Sequence, residues 1–237
     1  MAATVASRQA IVPTLVDNNE KAAAALVQAL ETEPTPSPSP SPSPSLAPVE
    51  TDSSRFITFS PYPDHLLDLE TLDPQTALLA RALSVFDKTR DDYATAPYVQ
   101  SFNFSVVIDE LRRLRASTTS SATPWEKRDY FVVAFRSQIP PTTNYGDLSS
   151  LDKAAHREAT DSGGLLRYWF HLPDADGRNL ATCLWRSPAD AHKAGHGAQH
   201  RKASSSVRSL YREWRIERYR LVIDDDIKSW EVIEWRD

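Results

Sequence analysis

LLRYWFHLPDADGRNLATCLWRSPAD, residues 165–190, decides the fold. Within it "LLRYWFHL", 165–172, and "NLATCLWRS", 179–187, are rich in aromatic and branched residues, which suits strands. Between them "PDADG", 173–177, carries the proline, aspartates and glycine of a tight turn. The two runs should therefore form a hairpin. Ser187-Pro188-Ala189-Asp190 then starts a helix: a serine cap, proline at the first helical position and an acid at the third.

The same reading extends in both directions. "YFVVAFRS", 130–137, is a strand, and "SSLDKAAHREA", 149–159, is a helix capped by Ser149 or Ser150 and ended by Gly163 and Gly164. Beyond Ser187 the helix meets Gly195 and Gly197, each unfavourable in a helix interior by roughly 1 kcal/mol. Val207, Leu210, Tyr211 and Trp214 then resume helical spacing. "RIERYRLVI", Asp224-Asp225-Asp226 and "SWEVIEW" make a closing hairpin.

From residue 130 the order is β-α-β-β-α-β plus one strand. This is the α+β class: a ferredoxin-like split β-α-β sheet with both helices on one face and an extra C-terminal hairpin strand. The open face needs a cover, from a second subunit or from two N-terminal helices. The first of these, 73–88, starts at Asp73-Pro74 and repeats Leu78, Leu79, Ala82, Leu83 and Phe86. The second, in "NFSVVIDELRRLR", has the stripe Phe104, Val107, Ile108, Leu111 and Leu114.

Residues 1–54 read as a disordered leader, with a short helix over 19–31 and a Ser-Pro repeat over 34–45 that favours an extended linker. Residues 55–237 read as a single α+β domain. The net charge of −5 argues against DNA binding, which needs a basic footprint. No apolar run approaches the roughly 18 residues of a membrane span. One cysteine, Cys183, excludes an intrachain disulfide and a zinc ribbon. A soluble intracellular protein is expected, cytoplasmic, with the nucleus left open as a further location. Residues 201–220 carry seven Arg/Lys and two Glu, and 224–237 six acids and two bases; the basic stretch, interleaved with Tyr211, Trp214 and Tyr219, could touch RNA, but mutual neutralisation across the hairpin is the expected outcome.

His192, His196 and His200 recur at intervals of four, but glycines interrupt them and no HExxH is present, so no metal is expected. His200 is the one expected to point inward. Strict alternation along 165–172 would put Leu165, Arg167, Trp169 and His171 on one face, leaving Leu166, Tyr168, Phe170 and Leu172 as core. The first set mixes a cation, an indole and an imidazole, which suits either a cavity for a small aromatic ligand or a wet interface on an open sheet face. His171 is the candidate acid/base, with Arg167, Trp169, Trp185 and His200 as ligand contacts; whether Trp185 shares their face depends on register. Cys183 reads as buried filler. Only six glycines and no phosphate-binding motif argue against a nucleotide cofactor, and no organic cofactor is expected.

Trp185, Asp190, Ala191, Ala194 and His200, on a strand running into an alanine-bearing helix, resemble the antibiotic-biosynthesis monooxygenase and related dimeric α+β barrel families. That resemblance covers the last part of the chain. It implies a homodimer and cofactor-free chemistry on an aromatic or polyketide-like compound. "GGLLRYWFH", "GRNLATCLWRS" and "LYREWRIERYRLVIDD…WEVIEW" resemble a fungal protein family to which no function is assigned. This second resemblance spans most of 55–237 and implies a fungal origin, without catalytic residues. A small-molecule enzyme or binder and a non-catalytic interaction module both remain open. An enclosed cavity containing His171 would favour the first, a filled sheet face the second.

Overall fold

A computed structural model of the chain describes residues 55–117 and 124–236. The expected leader, its helix and the Ser-Pro repeat lie outside them. In chain order the strands and helices are β1 Phe56–Thr58, β2 Leu66–Asp68, α1 Pro74–Ala82, α2 Tyr98–Ser101, α3 Phe104–Ser117, β3 Arg128–Gln138 and α4 Tyr145–Ser162. Then follow β4 Leu165–Trp169, β5 Arg178–Trp185, α5 Pro188–Gly195, α6 Ala198–Leu210, β6 Glu213–Ile223 and β7 Trp230–Glu234.

Five strands form one antiparallel sheet in the order β4-β5-β3-β6-β7. Counted from β3, the first four strands lie in the order 2-3-1-4, the split β-α-β arrangement, and β7 adds the extra edge. β1 and β2 pair separately. Among the described residues no helix is long and apolar enough to cross a membrane.

Local chemistry sets the element ends. Ser187 Oγ accepts the Asp190 N–H at 3.2 Å, with Pro188 in the first turn. Asp73 caps α1 through Thr76 N–H and also pairs with Arg128 at 2.7 Å, tying that helix to β3. α4 starts earlier than expected: Asn144, not Ser149 or Ser150, is its cap, because its side chain accepts the Gly146 N–H at 3.0 Å. The helix expected over 73–88 ends at Ala82 and tightens into a 3-10 turn over Leu83–Val85. β4 stops at Trp169, short of His171.

The sheet is covered on both faces. α4, α5 and α6 lie on one. α1, α2 and α3 with their connections lie on the other and supply the cover that a second subunit could have given, while Tyr62 and His65 from the segment before them reach α4. Arg136, 9% exposed, fastens this layer: its guanidinium donates to the carbonyls of Ala94 (2.6 Å) and Ala96 (2.7 Å) and pairs with Glu217 at 2.9 Å. Tyr98 stacks on Tyr219 at 4.5 Å and shares a 2.8 Å hydrogen bond with Thr182. Among the described residues the basic and acidic C-terminal stretches find other partners than each other. Arg220 meets Asp129 on β3, Arg178 meets Glu213, and Lys127 meets Asp224.

Candidate functional site

A cavity of about 660 Å³ separates the sheet from α4, α5 and α6. That size suits a small organic molecule. It exists because short side chains meet across the gap: Ala155, Ala159, Ala191 and Ala203 on the helices, and Val133, Ala181 and Cys183 on the sheet. Aromatic rings line the rest, among them Tyr62, Tyr168, Phe170, Trp185 and Trp235.

Asp152 and His156 stand one turn apart on α4 and both line this space. The Tyr62 hydroxyl donates to Asp152 Oδ2 at 2.5 Å and the Tyr168 hydroxyl to Oδ1 at 2.8 Å. Burial pushes the Asp152 carboxyl pKa up; the tyrosine donors and His200 oppose this, and the net shift is upward. Burial and the Asp152 charge raise both tyrosines, which stay protonated and able to donate.

Behind the cavity wall His156 stacks on a second histidine, His65. His65 Nδ1 and His156 Nδ1 are 2.6 Å apart, and both rings are buried. One nitrogen must donate and the other accept. His65 Nε2 lies 3.5 Å from Asp64 Oδ2, which favours its proton there and leaves His156 Nδ1–H as the donor. His156 Nε2 is then a buried acceptor with no hydrogen-bond partner in the described structure. Burial, His65 and Arg157 push the His156 pKa down to about 3.

Trp185 and His200 line the cavity; Arg167, Trp169 and His171 do not. The register shifts between Leu165 and Arg167 in the β4–β5 pairing. This irregularity places Leu165 with Tyr168 and Phe170 on the cavity face, so strict alternation assigns Leu165 to the wrong side. Arg167 and Trp169 turn to the N-terminal layer. Arg167 Nη2 donates to the Phe86 carbonyl at 3.3 Å, and Trp169 Nε1 to Asp87 Oδ1 at 3.0 Å. His171 lies beyond β4, exposed.

His192 and His196 lie with ring centroids 4.1 Å apart, whereas His200 belongs to the next helix and contacts Glu158 Oε2 at 3.3 Å. Among the described residues no group of three or more His, Cys, Asp or Glu could hold a metal. Cys183 lines the cavity, and burial raises its thiol pKa, keeping it protonated.

Sequence reasoning missed Asp152, His156, Tyr62 and His65. A signal existed for the first two: "DKAAH", 152–156, sets an acid and a histidine four apart beside two alanines. Tyr62 and His65 come from "PYPDH", 61–65, which has no periodicity to place it.

Protein SO0527 from Shewanella oneidensis is 13% identical, with a TM-score of 0.36, covering 41% of this chain and 98% of that one. SnoaB, a cofactor-independent oxygenase from Streptomyces nogalater, is 12% identical, with a TM-score of 0.34, covering 38% of this chain and 91% of that one. In sequence, UPF0643 protein PB2B2.08 of the fission yeast Schizosaccharomyces pombe is 36% identical over 183 residues, covering 73% of this chain and 82% of the relative. The PB2B2.08-like family model matches residues 58–234, a span that takes in β2 to β7 and the cavity wall apart from Trp235. The chain belongs to the PB2B2.08-like family.

Proposed function

We propose that the chain is a cofactor-free enzyme or binding protein for a small, largely apolar aromatic molecule held between the sheet and α4, α5 and α6. The observation that carries this reading is the cavity with Asp152 in its wall. A carboxyl group whose pKa is raised in an apolar setting is suited to move a proton nearer neutral pH than an ordinary aspartate. Trp185 and Tyr168 supply flat surfaces for a ring. The acid/base role assigned to His171 passes to Asp152, because His171 is exposed and absent from the cavity wall.

Calorimetric titration with 1-naphthylmethanol tests this. Saturable binding is expected for the native chain. It should weaken about tenfold or more in Ala155→Trp, whose indole occupies the space of the ligand. Absence of binding, or equal binding by the filled variant, contradicts the reading.

A non-catalytic interaction module is the second reading. Trp214 (37% exposed) and Ile216 (42% exposed) favour it, since both present apolar surface at the cavity rim. On that reading the Ala155→Trp variant keeps its full function while Trp214→Ala loses partner binding.

A further inference from the structure

Asp152 differs from the other partly buried carboxylates among the described residues. Asp68 sits against Arg55, Asp73 against Arg128, Asp190 against Arg186, Asp224 against Lys127 and Glu217 against Arg136. Glu110 and Glu158 likewise meet Arg113 and His200. Asp152 has two tyrosine hydroxyls and no ion pair. His200, the cation-forming group that acts on it electrostatically, is itself engaged by Glu158. Arg218, the one arginine in the cavity wall, makes no ion pair with it.

Two hydroxyl donors occupy part of a carboxylate's four acceptor sites. The remaining lone pairs belong to a group that is partly accessible and lines the cavity. The rings of Tyr62, Tyr168 and Phe170 are clustered here, with centroids 5.5–6.5 Å apart. A carboxylate beside aromatic faces attracts an organic cation by charge-assisted hydrogen bonding and by the ring quadrupoles. We propose that the ligand of this cavity is an amine, its ammonium group set against Asp152 and its apolar body lying along Trp185 and the alanine-lined helix faces. If Asp152 is protonated before the amine arrives, its proton passes to the neutral amine nitrogen and the same ion pair results.

This rests on the cavity being a ligand site, and a charge series separates the two ideas. 1-Naphthylmethylammonium, 1-naphthylmethanol and 1-naphthoate share one ring system. The ammonium compound should bind the native chain about 10- to 100-fold more tightly than the alcohol, and the carboxylate weakest. Asp152→Asn should remove that preference, so that the ammonium compound binds no more tightly than the alcohol. If the alcohol binds in competition with the ammonium and equally tightly, the amine proposal falls and the ligand site stands. If none of the three binds, both fall.

A measurement on the native chain alone covers the case in which Asp152→Asn does not fold. On acidification Asp152 takes a proton, so ammonium binding should weaken while alcohol binding stays level. Tyr62, Tyr168, Tyr211, His156 and His200 also face this region. The tyrosines stay neutral throughout, and a charge gained by either histidine also weakens ammonium binding. The alcohol profile reports any loss of the site itself. An ammonium affinity as level as that of the alcohol overturns the proposal.

Discussion

Asp152 and His156 share one face of α4, and burial holds them in opposite departures from ordinary behaviour: the carboxyl is raised and the imidazole is lowered to about 3. His65, stacked on His156, is also lowered, first by burial and then by Arg157. The sign of the pH effect follows. Unfolded histidine titrates near pH 6.5, so below that value the unfolded chain holds protons that the folded pair refuses. Stability conferred by the neutral pair is present above about pH 6.5 and is lost as pH falls toward about 3, by a few kcal/mol in all. Urea unfolding midpoints should fall between neutral pH and about pH 4, and the double variant His65→Phe with His156→Phe should show a shallower fall. Equal slopes would mean that the pair does not titrate as its burial requires. Residues of this kind were only half legible. The four-residue spacing of Asp152 and His156 is visible in the sequence, but two of their partners, Tyr62 and His65, arrive from a segment about 90 residues away.

At the scale of elements, caps were the most legible feature. Ser187-Pro188-Ala189-Asp190 starts α5 as its chemistry requires, and Gly195 and Gly197 do mark the break between α5 and α6. The two glycines have different reasons. A Cβ on Gly197 would come within 2.0 Å of the Glu158 carboxylate, whose oxygens accept the N–H groups of Gln199 (3.2 Å) and His200 (3.0 Å). Glu158 thereby caps α6 from α4. A Cβ on Gly195 would meet nothing within 4 Å. Gly197→Ala should therefore cost about 1–2 kcal/mol in urea denaturation, and Gly195→Ala should be neutral or stabilising. Similar costs for both would contradict the capping role. The β4 register was not legible. Residues 165–172 alternate convincingly, and only the pairing with β5 reveals the irregularity that splits Trp169 from Trp185.

At the scale of the molecule, the sheet has two dissimilar faces. The N-terminal layer fills one, anchored by Arg136 and by the aromatic contacts of Tyr98, Phe102 and Trp169. The sequence could not choose between this cover and a second subunit, because an apolar sheet face and apolar helix stripes satisfy either. With α1, α2 and α3 in place, a second copy has no access to that face, and a homodimer would use other surfaces. The opposite face keeps an unfilled space because alanines oppose small sheet residues there. Trp169 and Trp185 lie on the two faces and so act as opposed reporters. The most direct test of a ligand site between sheet and helices is to follow their indole N–H signals by heteronuclear NMR during titration with 1-naphthylmethanol. The Trp185 signal should move and saturate while the Trp169 signal stays in place. Movement of Trp169 without Trp185, or of neither, would contradict the site.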